Sequence, residues 1–367
     1  MLSLLLAFTC VALLAYANGA NDNFKGVATL FGSGVSDYRK ALHWATAATL
    51  AGSVAAIGFT AHLVAAFSGK LFVSAATLAL PGFGLAVCAA CAATVLLATR
   101  LGLPVSTTHA LAGGLLGAAL AAPDSLVNWA RAGTQIFLPL GLGPLLAIAA
   151  AALLYPLLSF GRARLGITRE SCVCVGQEWV PVAIGTAALR TTVAMDQTED
   201  CRVRYSGAVL GVSAQQAVDG LHYLSAGAVS FARGVNDTPK IVALSLMVAP
   251  MIPVGAEFVG VGLVIAIGGL LGARRVAETM SNKITAMNAG QGLTANLVTS
   301  TLVLAASPLG LPLSTTHVSC GALFGIGAVT GQARWTTIAG IVTAWLITLP
   351  LAALLGAALM RAALILG

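Results

Sequence analysis

Apolar residues run along this chain in long blocks, and the order of blocks in the first half returns in the second. The first half carries them at about 2–17 (resuming at 24–34), 41–67, 83–99, 104–121 and 134–158. The second half carries them at about 207–232 (resuming at 237–249), 253–273, 291–307, 312–330 and 335–360. Many reach the roughly 17 to 25 residues that take a helix across a hydrocarbon core, so the pattern predicts membrane helices, five segments answering five. The first block is broken by Asn18-Gly19-Ala20-Asn21-Asp22-Asn23-Phe24-Lys25, which sets a carboxylate, an ammonium and three amides in apolar surroundings. Membrane anchoring needs none of them. The stretch returns as Arg233-Gly234-Val235-Asn236-Asp237-Thr238-Pro239-Lys240, with Gly, Asn, Asp and Lys at the same internal spacing.

A second pair aligns without gaps. Leu101-Gly102-Leu103-Pro104-Val105-Ser106-Thr107-Thr108-His109 matches Leu309-Gly310-Leu311-Pro312-Leu313-Ser314-Thr315-Thr316-His317, and the register holds to Gly113 with Gly321 and Gly117 with Gly325. A duplicated membrane unit explains this. If 104–121 and 312–330 cross the membrane, each repeat has five crossings, an odd number, and the second copy runs upside down. One face then receives Arg39, Lys40, Arg100, the six arginines from Arg162 to Arg204, Arg274, Arg275, Lys283 and Arg334, against Lys70, Arg131 and Arg361 opposite. That is the positive-inside bias. If they turn back, the central arginines fall outside and the bias collapses. The expectation is therefore an all-α polytopic membrane protein of two inverted-topology repeats of about five membrane segments each, with broken or half helices at the site. The first repeat is 1–160, a polar cytoplasmic central loop 161–205, and the second repeat 206–367; both termini lie outside the cell membrane.

Composition agrees: 58% hydrophobic and 8% charged residues, with a mean hydropathy of +0.93, leave too little polar surface for a soluble globule. Met1 to Ala17 lacks the basic n-region of a secretory signal and runs straight into the first polar stretch, so it is expected to stay as a membrane segment. The central loop reads as a solvated linker to which no chemistry is assigned. Cys172, Cys174 and Cys201 fall within it; a disulfide or a metal there is allowed, though no paired CxxC spacing supports zinc.

Two constellations carry chemistry. An ionised Asp at the bilayer centre costs at least about 2.5 kcal/mol, so Asp22 and Asp237 need partners, protons or bound cations. Lys25 and Lys240, three residues on, share a helical face with them. Gly19 and Gly234, with the neighbouring Asn residues, suggest an unwound turn whose backbone binds ions. In the second constellation Pro104 and Pro312 disfavour helix just before them, while Ser106 and Ser314 are good N-caps, so each Ser-Thr-Thr starts a half-helix. A helix start suits an oxyanion, and the hydroxyls of Thr107, Thr108, Thr315 and Thr316 add neutral donors. A free imidazole titrates near neutral pH, so His109 and His317 are candidate proton carriers, but hydrogen-bonded packing is the favoured reading for them. Asp219 and His222 stand i,i+3 and so can interact, while Arg233 has no first-half equivalent.

The doubled Gly-Ala-Asn-Asp stretch and the paired Pro-x-Ser-Thr-Thr-His stretches resemble the inorganic phosphate transporter (PiT) family of phosphate permeases, over everything but the central loop. The resemblance implies secondary, cation-coupled phosphate uptake by alternating access, with Asn21, Asp22, Asn236, Asp237 and the Ser-Thr-Thr groups at a site between inverted repeats. One feature departs from the family pattern: Lys25 and Lys240 stand where a later Asn is expected. A fixed ammonium in place of a sodium-coordinating amide favours protons over sodium as the coupling cation.

The expected substrate-binding residues are thus Ser106, Thr107, Thr108, Ser314, Thr315, Thr316, Asn21 and Asn236. Asp22, Asp237, Lys25 and Lys240 are the coupling residues, with a bound cation allowed at Asp22 and Asp237. Inorganic phosphate, H+ or Na+ and the lipid bilayer are the partners; no nucleic acid and no cofactor are expected, and a homodimer is allowed. The rivals are a sulfate or other oxyanion permease, an anion channel, and an intramembrane hydrolase using Ser106 and His109. The hydrolase lacks an evident third group to orient the histidine.

Overall fold

A computed structural model of the chain describes residues 2–58, 61–123, 125–183, 186–205, 210–248 and 252–366. The first half contains α1 (Leu2–Asp22), α2 (Ala28–Gly32), α3 (Tyr38–Ala55), α4 (Ala61–Phe67), α5 (Ala75–Leu78), α6 (Phe83–Arg100), α7 (Thr107–Ala121), α8 (Trp129–Ala132) and α9 (Leu138–Arg164). The central segment folds as β1 (Ser171–Ala183), β2 (Thr186–Gln197), α10 (Thr198–Arg204) and β3 (Leu210–Ser213). The second half contains α11 (Ala214–Val248), α12 (Val254–Gly272), α13 (Arg274–Glu278), α14 (Ala289–Ala306), α15 (Thr315–Thr330) and α16 (Trp335–Leu366). Among the described residues, six stretches are long and apolar enough to span a bilayer: Leu4–Asp22, Tyr38–Gly58, Phe83–Arg100, Trp129–Arg164, Val254–Gly272 and Trp335–Leu366. The protein is a multi-pass, mostly helical membrane protein.

The stretches 104–121 and 312–330 double back antiparallel on the helices before them. An antiparallel bridge joins Val73 to Val127, and Asn128 N donates to Phe72 O at 2.8 Å, so the chain leaves α7 beside the point where it approached α6. The second half repeats this around α14 and α15, with Thr285 bridged to Ala333 and Arg334 N donating to Ile284 O at 2.9 Å. Each pair is a helical hairpin. With 15 residues, α7 rises only about 22 Å, short of a hydrocarbon core of roughly 30 Å.

The halves interleave. Packing joins α7 to α16, α15 to α9, α1 to α12 and α3 to α11, each pair drawn from both halves. The repeated glycines set two of these contacts: a Cβ at Gly117 would meet the Ala353 backbone, and one at Gly325 would sit 3.2 Å from the Ala151 Cβ. Apolar side chains of both halves fill the two main buried clusters, as where Leu111 and Leu115 join Ala352 and Met360.

Two expectations are corrected. The unwound turn forms in the first copy only, where residues 23–27 make turns between α1 and α2; α11 runs unbroken through Gly234–Lys240 with Pro239 inside it. The glycines serve close packing instead, since a Cβ at Gly19 would lie 2.8 Å from Gly269 N and one at Gly234 2.8 Å from Ser53 N. The central segment is also no plain linker, and the fold is not wholly α. It forms an antiparallel sheet of order β2-β1-β3, on which α10 packs. The signal was a period of two in β1, where Cys172, Cys174 and Gly176 are buried and Val173, Val175 and Gln177 alternate with them.

Candidate functional site

Ionised groups inside an apolar bundle are stable only when paired and hydrogen-bonded, and the two polar stretches supply each other's partners. Asp22 Oδ1 is ion-paired with Lys25 Nζ, while its Oδ2 accepts from Asn18 Nδ2 at 2.9 Å and Thr107 Oγ1 at 3.0 Å. Asp237 Oδ1 accepts from Lys240 Nζ at 3.2 Å and Asn236 Nδ2 at 3.1 Å. Its Oδ2 lies 3.4 Å from Thr315 Oγ1 and from Asn18 Nδ2, and 3.6 Å from Arg233 Nε. The Asn18 amide therefore touches both carboxylates. Positions 215 residues apart in sequence form one buried centre.

The lysines tie the halves together by matching bonds. Lys25 Nζ reaches Val105 O at 2.9 Å in its own half and Thr316 Oγ1 at 2.6 Å in the other. Lys240 Nζ reaches Leu313 O at 3.0 Å in its own half and Thr108 Oγ1 at 2.8 Å in the other. Asn21 donates to Thr99 Oγ1 and Leu103 O, at 2.9 and 3.1 Å; Asn236 donates to Leu313 O at 3.1 Å and accepts from Ser307 Oγ at 3.4 Å.

Local sequence explains why the hairpin tips present these groups. Gly102 and Gly310 adopt φ of 70° and 68°, which closes α6 and α14 with Schellman caps: Leu103 N donates to Ala98 O at 2.9 Å, and Leu311 N to Ala306 O at 3.1 Å. Pro104 and Pro312 keep the chain extended and leave the carbonyls of Val105 and Leu313 pointing at the lysines. Ser106 and Ser314 then cap the next helices, accepting from His109 N at 3.1 Å and His317 N at 3.2 Å. The expected half-helix starts are present, with the serine oxygens used in capping and the threonine hydroxyls bonded to the charged groups.

The phosphate transporter family matches residues 18–356, nearly the whole chain and both polar stretches. The chain belongs to that family. A protein named as a phosphate permease in Thermococcus kodakarensis is 31% identical over 323 residues, covering 77% of this chain and 78% of the relative. One named as a low-affinity inorganic phosphate transporter in Mycobacterium leprae is 28% identical over 369 residues, covering 96% of this chain and 77% of the relative. A solved structure titled "The sodium-dependent phosphate transporter" shares the fold over the full length of both chains, with a TM-score of 0.77 and 22% identity. As a member of the phosphate transporter family, the protein is a membrane transporter rather than an enzyme.

In this family member, sequence reasoning left two site residues unassigned. Arg233 is 1% exposed; besides approaching Asp237, its Nη2 donates to Asn18 Oδ1 at 2.7 Å and its Nη1 to Asn23 Oδ1 at 3.2 Å. Aligning the two polar stretches puts Arg233 at the position of Asn18, the signal that both face the centre. Three buried cations, Lys25, Arg233 and Lys240, stand against two buried carboxylates, so the centre carries one net positive charge when all are ionised. His109 and His317 fit the packing reading: their ring centroids are 4.4 Å apart, and His317 lies 4.0 Å from the Trp345 ring. Asp219 and His222 do not meet; Asp219 accepts from Gln215 Nε2 at 2.7 Å, and His222 Nε2 pairs with Thr29 Oγ1 at 2.9 Å.

Proposed function

We propose that this family member carries inorganic phosphate by alternating access, and that protons rather than sodium drive it. The observation that carries the reading is the charge of the centre, where three fixed cations and the hydroxyls of Thr107, Thr108, Thr315 and Thr316 surround two carboxylates. Phosphate takes over donors that the carboxylates and carbonyls now hold: Lys25, Lys240 and the threonine hydroxyls. Asp22 and Asp237, stripped of those donors beside a dianion, bind protons, because like charges at contact distance disfavour ionisation. Uptake of anion and proton is thereby linked. A monoprotonated phosphate can also donate to a carboxylate and sulfate cannot, which favours phosphate over the sulfate reading.

The inverted arrangement is part of the proposal. With α6–α7 and α14–α15 as hairpins, each half keeps three crossings: α1–α2, α3 and α8–α9 in the first, α11, α12–α13 and α16 in the second. Three is odd. The second half therefore runs upside down, both termini share the outer face, and the central domain lies in the cytoplasm with Arg39, Lys40, Lys283 and Arg334 on its side. On this count the charge bias persists without Arg100, which lies at the tip of the α6–α7 hairpin, because α6 leaves the count together with α7.

Sodium is the rival coupling ion, since the solved structure of the same fold is titled as sodium-dependent. Uptake of phosphate and of sulfate into proteoliposomes, with proton and sodium gradients imposed separately, decides between them. Proton-driven, sodium-free phosphate accumulation is expected. Strict dependence on sodium would overturn the coupling, and preference for sulfate would overturn the substrate.

A further inference from the structure

The central domain holds a cluster that lies outside the proposed transport site. Cys172 and Cys174 lie two residues apart on β1 and point to the same side, and Cys201 reaches them from α10. Their sulfur atoms all lie within 4.8 Å of one another, and all three residues are buried. Cys174 and Cys201 form a disulfide, and Cys172 Sγ lies 2.6 Å from Cys174 Sγ. With Tyr205, these cysteines are the whole buried core of the domain among the described residues. A unit so small needs a staple, either a disulfide or a metal. A disulfide uses two sulfurs, but this core was built around three. Gly211 makes the room, since a Cβ there would lie 2.8 Å from Cys172 Sγ.

We propose that, with the disulfide reduced, Cys172, Cys174 and Cys201 bind one thiophilic d10 metal ion, Zn2+ or Cu+, through three thiolates. A metal–sulfur bond of about 2.3 Å in trigonal coordination places the sulfurs about 4 Å apart, within the spread that these backbone positions hold. A dithiol reductant supplies two electrons and two protons to Cys174–Cys201 and itself becomes a disulfide; the three thiols then release their protons as the ion binds. The ion closes β1 onto α10 where the disulfide does so in the oxidised chain.

The test uses the full-length protein in detergent with a phosphine reductant, equilibrated in separate arms with Zn2+, with Cu+ and with no metal. One ion per chain is expected by elemental mass spectrometry in at least one arm, and the arms identify which. In that arm Cys172, Cys174 and Cys201 should resist alkylation together in the wild-type protein, a readout that does not depend on any variant folding. Cys172→Ser should weaken binding about 100-fold or more, while Cys10→Ser leaves it unchanged. Reduced wild-type protein that binds neither ion better than Cys172→Ser, or whose Cys172 alkylates equally with and without metal, overturns the proposal.

Discussion

Lys25 shows what a single side chain decides here, because it neutralises Asp22 and also bonds a threonine of the other half. Breaking a buried pair strands a charge, so Lys25→Met should destabilise the protein by about 3–5 kcal/mol, and Lys25→Met with Asp22→Asn should recover much of it. Thermal unfolding in detergent checks both; equal losses in the single and double variants would remove the pairing argument. Lys25→Asn and Lys240→Asn restore the amide of the family pattern. Both should transport poorly without sodium and partly recover as sodium is added, which a purely structural role for the lysine does not predict. At the proposed anion contacts, Thr107→Val and Thr315→Val each remove one hydroxyl donor. Losing a hydrogen bond to a charged group costs about 1.5–3 kcal/mol, so phosphate affinity should fall about 10- to 150-fold; unchanged affinity in folded variants would take these threonines out of the site. Asp22→Asn and Asp237→Asn should still bind or exchange phosphate yet fail to accumulate it against a gradient, as measured by counterflow beside net uptake. All these residues are proposed from the repeated motifs, because a charge in an apolar block has little other reason to recur, whereas the motifs leave Arg233 and Asn18 unassigned.

At the scale of elements, the hairpin tips were the most legible feature. Gly-Leu-Pro-x-Ser-Thr-Thr encodes a helix stop, an extended residue and a helix start in adjacent positions, and each choice is local backbone chemistry. Ser106→Ala or Ser314→Ala should cost about 0.5–2 kcal/mol of stability through loss of the N-cap. If instead the serines contact phosphate directly, affinity will fall with stability unchanged. The glycines misled for the converse reason. A glycine is equally suited to loosening a helix and to letting another helix approach, and only the neighbour at Ser53 or Gly269 says which applies. Gly117→Leu should therefore disrupt the α7–α16 contact and leave little folded protein, seen as loss of a monodisperse peak in size-exclusion chromatography. The central strands were missed because a short alternating run is hard to separate from a polar linker when charged residues surround it.

Across the whole molecule, interleaving makes the two halves interdependent, and the proposed inverted orientation can be tested directly. In sealed right-side-out vesicles, an impermeant maleimide should label Arg131→Cys and spare Arg334→Cys until the membrane is opened; labelling of both from outside contradicts the inverted arrangement. The sequence by itself determined the membrane class, the repeated motifs and which charged and amide residues interrupt the apolar blocks, since these rest on hydropathy, spacing and the cost of charge in lipid. Only the tertiary structure decided that each Ser-Thr-Thr helix doubles back antiparallel on the helix before it, since the sequence implies the lengths of α6 and α7 but not that their flanks are bridged side by side. Only the tertiary structure, likewise, brought Arg233 and Asp237 to Asn18. Contacts between residues 215 positions apart are set by how helices from the two halves pack, and neither local propensity nor motif spacing encodes that packing.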